Sequence, residues 1–256
     1  MNIFYSYNGR YSGFKDSVLS ARTMGGCPVH VMTDQKDYIR GAIVEDQNQL
    51  PVPDDVRNIF QYQINGLLRW LAISRFVKKN SILGTIVVFD WDFLLFSNLT
   101  EALEPFSAFP LCNSKEVDSS WNAAWVIRDQ ALLHDFIPFT FESIRKRQCG
   151  DECVQYNDMA MWNLFIYTHQ IPHGNLSDIK NNSVFDHNLH CGHGKYECDG
   201  MAKKITWKDK RPYFTLLDGT MIKAHTIHCW GPSKGKTSEL ITLSGIGNHD
   251  THRLAR

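Results

Sequence analysis

Residues 85–96 read TIVVFDWDFLLF, an apolar and largely β-branched run that ends abruptly in Asp90-Trp91-Asp92. A run of this kind predicts a strand that is buried on both faces, as in a parallel α/β sheet. Ligands of such sheets bind beyond the carboxyl ends of the strands, where this sequence has two carboxylates. Because a buried carboxylate without a partner is costly, Asp90 and Asp92 predict a bound cation at that edge.

Strand and helix patterns alternate on both sides of this run. The helix at 59–79 is the clearest, since apolar side chains recur there at three- and four-residue spacing. The alternation predicts an α/β fold in which helices flank a mostly parallel central sheet. The other expected elements are strands at 2–7, 28–33 and 122–127 and helices at 14–24, 99–104, 130–146 and 153–168.

The C-terminal third of the chain changes in character. Residues 172–211 are rich in Asn, His, Gly and Lys and poor in aliphatic residues, which predicts a long functional loop or a small irregular lobe. Residues 212–217 and 221–227 then predict a hairpin about Asp218-Gly219. We expect a single domain over 1–236 and a C-terminal tail over 237–256.

The composition limits the classes of partner. With 27 basic and 27 acidic residues the formal net charge is zero, which argues against a protein that binds nucleic acid mainly through phosphate contacts. No apolar stretch approaches the roughly 20 residues needed to span a bilayer. The first ten residues lack the charged and apolar regions of a secretory signal. These features predict a protein without a transmembrane segment and with a cytoplasmic location.

Two motifs suit a metal and a diphosphate. Residues two apart in a strand point the same way, so Asp90 and Asp92 predict joint binding of one hard divalent cation, Mn²⁺ or Mg²⁺. The second motif, HCWGPSK, occupies residues 228–234. Its His228 suits Mn²⁺ as a third ligand. Gly231 permits close approach of the backbone to a phosphate, and Lys234 supplies a charge for a pyrophosphate.

A strand that ends in D-x-D, combined with a C-terminal H-x-x-G-x-x-K, makes the chain resemble the GT-A-type glycosyltransferases. It is similar to family 8, the retaining group that includes glycogenin-like and bacterial galactosyltransferase-like enzymes. The matching residues, over about 1–236, are Asp90, Asp92, His228, Gly231 and Lys234. The resemblance implies a GT-A fold and metal-dependent transfer of a sugar from a nucleotide sugar, UDP-linked, to a hydroxyl of a glycan or glycoconjugate. Residues 172–211 would then lie on the acceptor side.

Weaker matches to the family concern the donor. By resemblance, Tyr7 and Asn8 hold the nucleotide base and ribose, and Asp34 is a candidate for the uracil. Arg69 matches a basic residue near the donor, where its charge could bind a sugar hydroxyl, a phosphate or an aspartate. Asn122 stands where the family has an asparagine followed by a small residue and a glycine.

Asp158, with Asn163 five positions on, matches a family aspartate that contacts the donor sugar. Met159 departs from the pattern, since it replaces a glutamine whose amide hydrogen bonds a thioether cannot make. Trp91 is bulky where the family has a small residue. The resemblance favours retention of configuration over inversion without deciding it. The expected catalytic residues are Asp92, which would act through the metal, and Asp158, which would be the general base of an inverting reaction.

Two other functions stay open. A strand followed by D-x-D is also the nucleophile motif of haloacid dehalogenase-type phosphatases, in which Asp90 would attack phosphorus. The chain could also be a non-catalytic, carbohydrate-binding relative of the transferases. Residues 187–198 hold five His and Cys residues but fit no standard zinc finger. We interpret them as an irregular loop with incidental His and Cys residues; acceptor binding and zinc binding stay open as alternatives.

Overall fold

The structure is a computed structural model that describes residues 1–7, 11–34, 39–44, 50–57, 61–115, 123–147, 157–190 and 194–246. The strands are β1 Asn2–Ser6, β2 Val29–Thr33, β3 Ile43–Val44, β4 Ile86–Phe89, β5 Phe93–Leu95, β6 Leu111–Asn113, β7 Ala124–Ile127, β8 His173–Asn175, β9 Ser183–Phe185, β10 Cys198–Asp199, β11 Ala202–Lys203, β12 Ile205–Lys208, β13 Arg211–Thr215 and β14 Met221–His228. The α-helices are α1 Ser12–Met24, α2 Asp54–Arg57, α3 Gln61–Lys79, α4 Leu99–Ala102, α5 Gln130–Arg147, α6 Asp158–Thr168 and α7 Thr237–Ser244, and short 3-10 helices cover Glu104–Phe106 and Gly231–Lys236. Each element expected before residue 172 is present among the described residues. Positions 59–60, 122 and 153–156 of the expected elements lie outside the described ranges.

The central sheet has seven strands in the order β3-β2-β1-β4-β7-β6-β8. Strands β3, β2, β1 and β4 are parallel neighbours, and β8 is parallel to β6. Strand β7 is antiparallel to both of its neighbours, β4 and β6. The prediction of an α/β fold with a mostly parallel central sheet is therefore confirmed.

Strand β4 is buried on both faces, which explains its continuous apolar sequence. Ile86 and Val88 face the core that α3, α5 and α6 form on one side of the sheet. Val87 and Phe89 face the other core, which contains residues of α1 and β5. This alternation follows from the two-residue period of a strand. It places the end of β4, and the two aspartates that follow, in the middle of the sheet edge.

A second sheet holds β12, β13, β14 and β5 in that order, and β9 also pairs with β14. Residues 172–211 contribute β9 and β12 to it, so the expectation of an irregular lobe is wrong for those segments. Strands of three or four residues are too short for a clear two-residue pattern, and the polar composition concealed them. The hairpin of β13 and β14 is confirmed, with Tyr213 opposite Lys223.

The C-terminal segment is also more regular than expected. Helix α7 begins at Thr237, packs against α1 and buries Leu240 and Ile241. The expected tail over 237–256 is therefore wrong for the residues of α7, while residues 247–256 lie outside the described ranges. Among the described helices, none is long and apolar enough to cross a membrane.

Candidate metal centre

The D-x-D segment forms the turn that connects the two sheets. Strand β4 ends at Phe89, the Phe93 N–H donates to the Asp90 carbonyl at 3.2 Å, and β5 begins at Phe93. Strand β5 then pairs antiparallel with β14, with Phe93 opposite His228. From the alternation of residues along a strand, the two aspartates were expected to point the same way. The structure brings them together in a turn instead, and the register of β5 with β14 adds the histidine.

Asp90, Asp92 and His228 form the one group of three or more His, Cys, Asp or Glu side chains in the described part of the chain that could hold a metal ion. One ligand atom from each lies within 4.8 Å of the others, and all three residues are buried. His228 Nε2 is 3.1 Å from Asp92 Oδ1. Two adjacent ligands at about 2.1 Å from one octahedral ion would be separated by a similar distance. The donor set of two carboxylates and one imidazole suits Mn²⁺.

Neighbouring charges set the protonation of these three groups. Burial opposes protonation of His228, but the charges of Asp92 and Asp90 outweigh it and raise the pKa of the imidazole to about 9. Burial also acts to raise the pKa of Asp92, yet His228 and Lys234 lower it on balance. For Asp90, burial prevails over Arg69 and His228, and its pKa is raised. A cation held by these three groups would therefore compete with the proton on His228.

We call Asp90, Asp92 and His228 the metal group, and Arg69 connects it to Asp158. Its Nη1 lies 2.5 Å from Asp90 Oδ1, and its Nη2 forms an ion pair with Asp158 Oδ2. Trp70 Nε1 donates to the same Asp158 oxygen at 2.8 Å, and the guanidinium lies 4.9 Å from the centre of the Trp125 ring. The Nε–H of Arg69 is a buried donor without an acceptor in the described part of the chain.

Lys234 reaches the site from the 3-10 helix that follows β14. Its Nζ lies 3.5 Å from Asp92 Oδ2 and 4.1 Å from the centre of the Trp91 ring. The Trp91 ring contacts the ring of Tyr7 and that of Tyr11, each with centroids 4.7 Å apart. The Tyr11 hydroxyl donates to the Lys234 carbonyl. The bulky middle residue of D-x-D therefore supports the lysine side chain.

Of the other expected site residues, Gly231 lies at the site, Asp34 lies at the end of β2, and two are not described. Gly231 has φ of 61°, a left-handed conformation that favours glycine, and it begins the 3-10 helix that carries Lys234. Asp34 is exposed at the end of β2, and its charge together with that of Asp92 adds to burial in raising the pKa of Tyr7. Asn8 and Asn122 lie outside the described residues.

Sequence reasoning missed several residues that surround the metal group. Asp186 accepts from the backbone N–H of His228 at 3.1 Å, and the His187 carbonyl accepts from His228 Nδ1. Buried Lys203 pairs with Asp186. The only sequence signal was the density of His and Cys over 187–198, which we interpreted as incidental. Cys191 and His193 of that segment are not among the described residues.

The chain matches no protein-family model, and no curated protein matches it.

Proposed function

We propose that the protein is a metal-dependent glycosyltransferase with a GT-A-type fold. It would transfer a sugar from a nucleotide sugar, UDP-linked, to a hydroxyl of a glycan or glycoconjugate acceptor. The observation that carries this proposal is the buried group of Asp90, Asp92 and His228, with Lys234 beside it, at the carboxyl end of a central parallel strand. Carboxylates, imidazole and a lysine at such an edge suit a metal and the diphosphate of a nucleotide.

The three ligands fit Mn²⁺ or Mg²⁺, and they leave coordination positions for phosphate oxygens and water. Such an ion would stabilise the negative charge that develops on the departing nucleoside diphosphate. Lys234 would add to this stabilisation from within the protein, because its ammonium already lies 3.5 Å from a metal ligand. The aromatic pair of Tyr7 and Trp91 offers a surface for the nucleotide base.

Arg69 and Asp158 would hold the donor sugar. The unpartnered Arg69 Nε is a buried donor, and a sugar or phosphate oxygen would satisfy it. Asp158 is already engaged by Arg69 and Trp70, which suits a carboxylate that positions other groups. A general base would have to be released from both contacts before it could take a proton from an acceptor. This arrangement supports retention of configuration over inversion.

The proposal is tested by calorimetric titration of UDP into the protein with and without Mn²⁺. We expect tight binding only when the metal is present, and loss of that binding in Asp92→Asn. Asp209→Asn, an equivalent change in an exposed turn, is the matched control and should bind like the wild-type protein. A UDP-sugar incubated without an acceptor should be hydrolysed slowly by the wild type and the control.

Each other outcome assigns a different function. Binding of GDP but not of UDP would replace the nucleotide and keep the reaction class. Hydrolysis of a generic phosphate ester without nucleotide binding would replace the transferase with the phosphatase that uses Asp90 as nucleophile. Nucleotide binding without donor hydrolysis or transfer, over a panel of sugars, would leave a binding protein.

A further inference from the structure

The segment 186–189 contacts three of the four polar groups of His228, namely the backbone N–H, the carbonyl and the ring Nδ1. The carboxylate of Asp186 accepts from the His228 backbone N–H at 3.1 Å, and the Leu189 N–H donates to the His228 carbonyl at 3.2 Å. The His187 carbonyl accepts from the ring at Nδ1. With Nδ1 committed in this way, Nε2 is the ring atom that faces Asp92 and the metal position. The segment therefore selects both the orientation and the tautomer of the expected metal ligand.

A buried lysine holds the segment in turn. Lys203 Nζ lies 2.7 Å from Asp186 Oδ1 and 2.9 Å from the Asn188 carbonyl oxygen. The side chains of this ion pair are 1% and 0% exposed. The ammonium also lies 4.8 Å from the ring centre of Tyr196 and 5.5 Å from that of Phe214. The ammonium of Lys203, in β11, thus holds the segment 186–189, and this segment in turn holds His228.

A buried ion pair is a weak means of stabilising a fold, because desolvation of both charges offsets most of their attraction. Its geometry is specific, however, and outer-shell partners of metal ligands contribute strongly to metal affinity. We propose that Lys203 is a positioning residue for the metal ligand His228, acting through Asp186 and the segment 186–189. This inference rests on the proposed function in one respect, the presence of a metal at Asp90, Asp92 and His228.

The ion pair also gives a role to residues 172–211, which were expected to lie on the acceptor side. Lys203 belongs to β11 and Asp186 follows β9, so both residues come from 172–211. Strand β9 pairs with β14 and ends at Phe185, directly before Asp186. The region therefore supports His228 from the edge of β14 that lies opposite to β5.

The experiment compares Lys203→Met with Lys204→Met, using the free Mn²⁺ signal in electron paramagnetic resonance to measure metal affinity without nucleotide. Lys204 is the neighbouring residue, and its ion pair with Glu197, at 3.2 Å, is exposed. We expect the Lys203 variant to bind Mn²⁺ about 10- to 100-fold more weakly. The Lys204 variant should bind like the wild type. A folded Lys203→Met protein with wild-type Mn²⁺ affinity would overturn the proposal, because a purely structural ion pair alters stability alone.

Lys203→Met leaves the Asp186 carboxylate buried without its cation, and the variant can fail to fold for that reason. The double variant Lys203→Met/Asp186→Asn removes both charges and keeps an oxygen that can accept from the His228 N–H. It should fold and still bind Mn²⁺ at least about tenfold more weakly, because the ammonium no longer holds residues 186 and 188. Wild-type affinity in this variant would equally overturn the proposal.

An NMR measurement on the metal-free chain tests the same arrangement without any metal. In protein labelled with ¹⁵N-histidine, the Nδ1–H of His228 should exchange slowly with solvent and should be absent in His228→Gln. Faster exchange of this proton in the double variant is the expected result, and unchanged exchange would contradict the role of Lys203. If wild-type protein binds no Mn²⁺ but shows the slow proton and its loss of protection, the proposed function fails while the positioning role stands.

Discussion

Lys234→Met should change metal binding and nucleotide binding in opposite directions. Lys234 Nζ lies 3.5 Å from Asp92 Oδ2, so the ammonium and a metal ion compete for the same carboxylate. At that distance the attraction is about 1 kcal/mol at the dielectric constant of water and about 5 kcal/mol at an effective constant of 20. Because 34% of the lysine side chain is exposed, the lower part of this range applies.

A difference of about 1.4 kcal/mol corresponds to a factor of ten in affinity. We therefore expect Lys234→Met to bind Mn²⁺ alone about tenfold more tightly than the wild type, since a competing positive charge has been removed. With saturating Mn²⁺, the variant should bind UDP about 10- to 100-fold more weakly, because a charged hydrogen bond to the diphosphate contributes about 1.5–3 kcal/mol. Methionine can keep the packing contact with the Trp91 ring.

The measurement is a pair of titrations at one pH, with Mn²⁺ into the nucleotide-free protein and with UDP into the Mn²⁺-saturated protein. Lys236→Met is the matched control, since Lys236 is an exposed lysine of the same 3-10 helix. Both affinities of the control should equal those of the wild type. A Lys234 variant in which UDP affinity is unchanged, or in which both affinities fall together, would refute a role for Lys234 at the diphosphate.

Gly66→Ala should impair the site with little effect on the free energy of unfolding. The new Cβ would lie 2.8 Å from Asp158 Oδ1, which disturbs that carboxylate. The helix propensity of alanine, about 1 kcal/mol better than that of glycine, offsets the strain. In urea unfolding, the free energy of unfolding of Gly66→Ala should change by less than about 1 kcal/mol, while hydrolysis of the UDP-sugar should be clearly lost. The control Gly194→Ala, where a Cβ meets nothing within 4 Å, should leave both quantities unchanged. Full activity in Gly66→Ala would count against a donor-site role for Asp158. Stability of the metal-free protein should fall as the pH rises from about 6.5 to about 9, by up to about 3 kcal/mol, because the pKa of His228 is raised in the folded state. Saturating Mn²⁺ should remove this fall, since the metal replaces the proton on His228, and an identical pH profile in His228→Gln would show that another group is responsible.

The alternation of elements before residue 172 was predictable because each element carries its own periodic signal. Strand β4 is buried on both faces and reads as a continuous apolar run, and α3 repeats its apolar residues at helical spacing. Strands β9 and β12 carry no such signal, as they have three and four residues in a polar region. Helix α7 has eight residues, about two turns, which is too short for a clear helical repeat.

In the candidate site, too, some residues could be predicted from the sequence and others could not. The nature of its groups was predictable, because Asp90, Asp92, His228 and Lys234 stand in two short motifs whose chemistry suits a metal and a diphosphate. The residues that support His228 were not predictable, since Asp186 and Lys203 are an ordinary aspartate and lysine in a region that resembles a loop. An ion pair between residues 17 positions apart leaves no periodic trace in a sequence.

The sequence by itself determined the α/β class and the chemical character of the metal group, because periodicity and residue type are local properties. Only the tertiary structure decided how the group is assembled. The turn after β4 leads into β5, and the antiparallel pairing of Phe93 with His228 places an imidazole against carboxylates more than 130 positions earlier in the chain. Register between distant strands is set by packing over the whole sheet, so no single segment of the sequence can specify it.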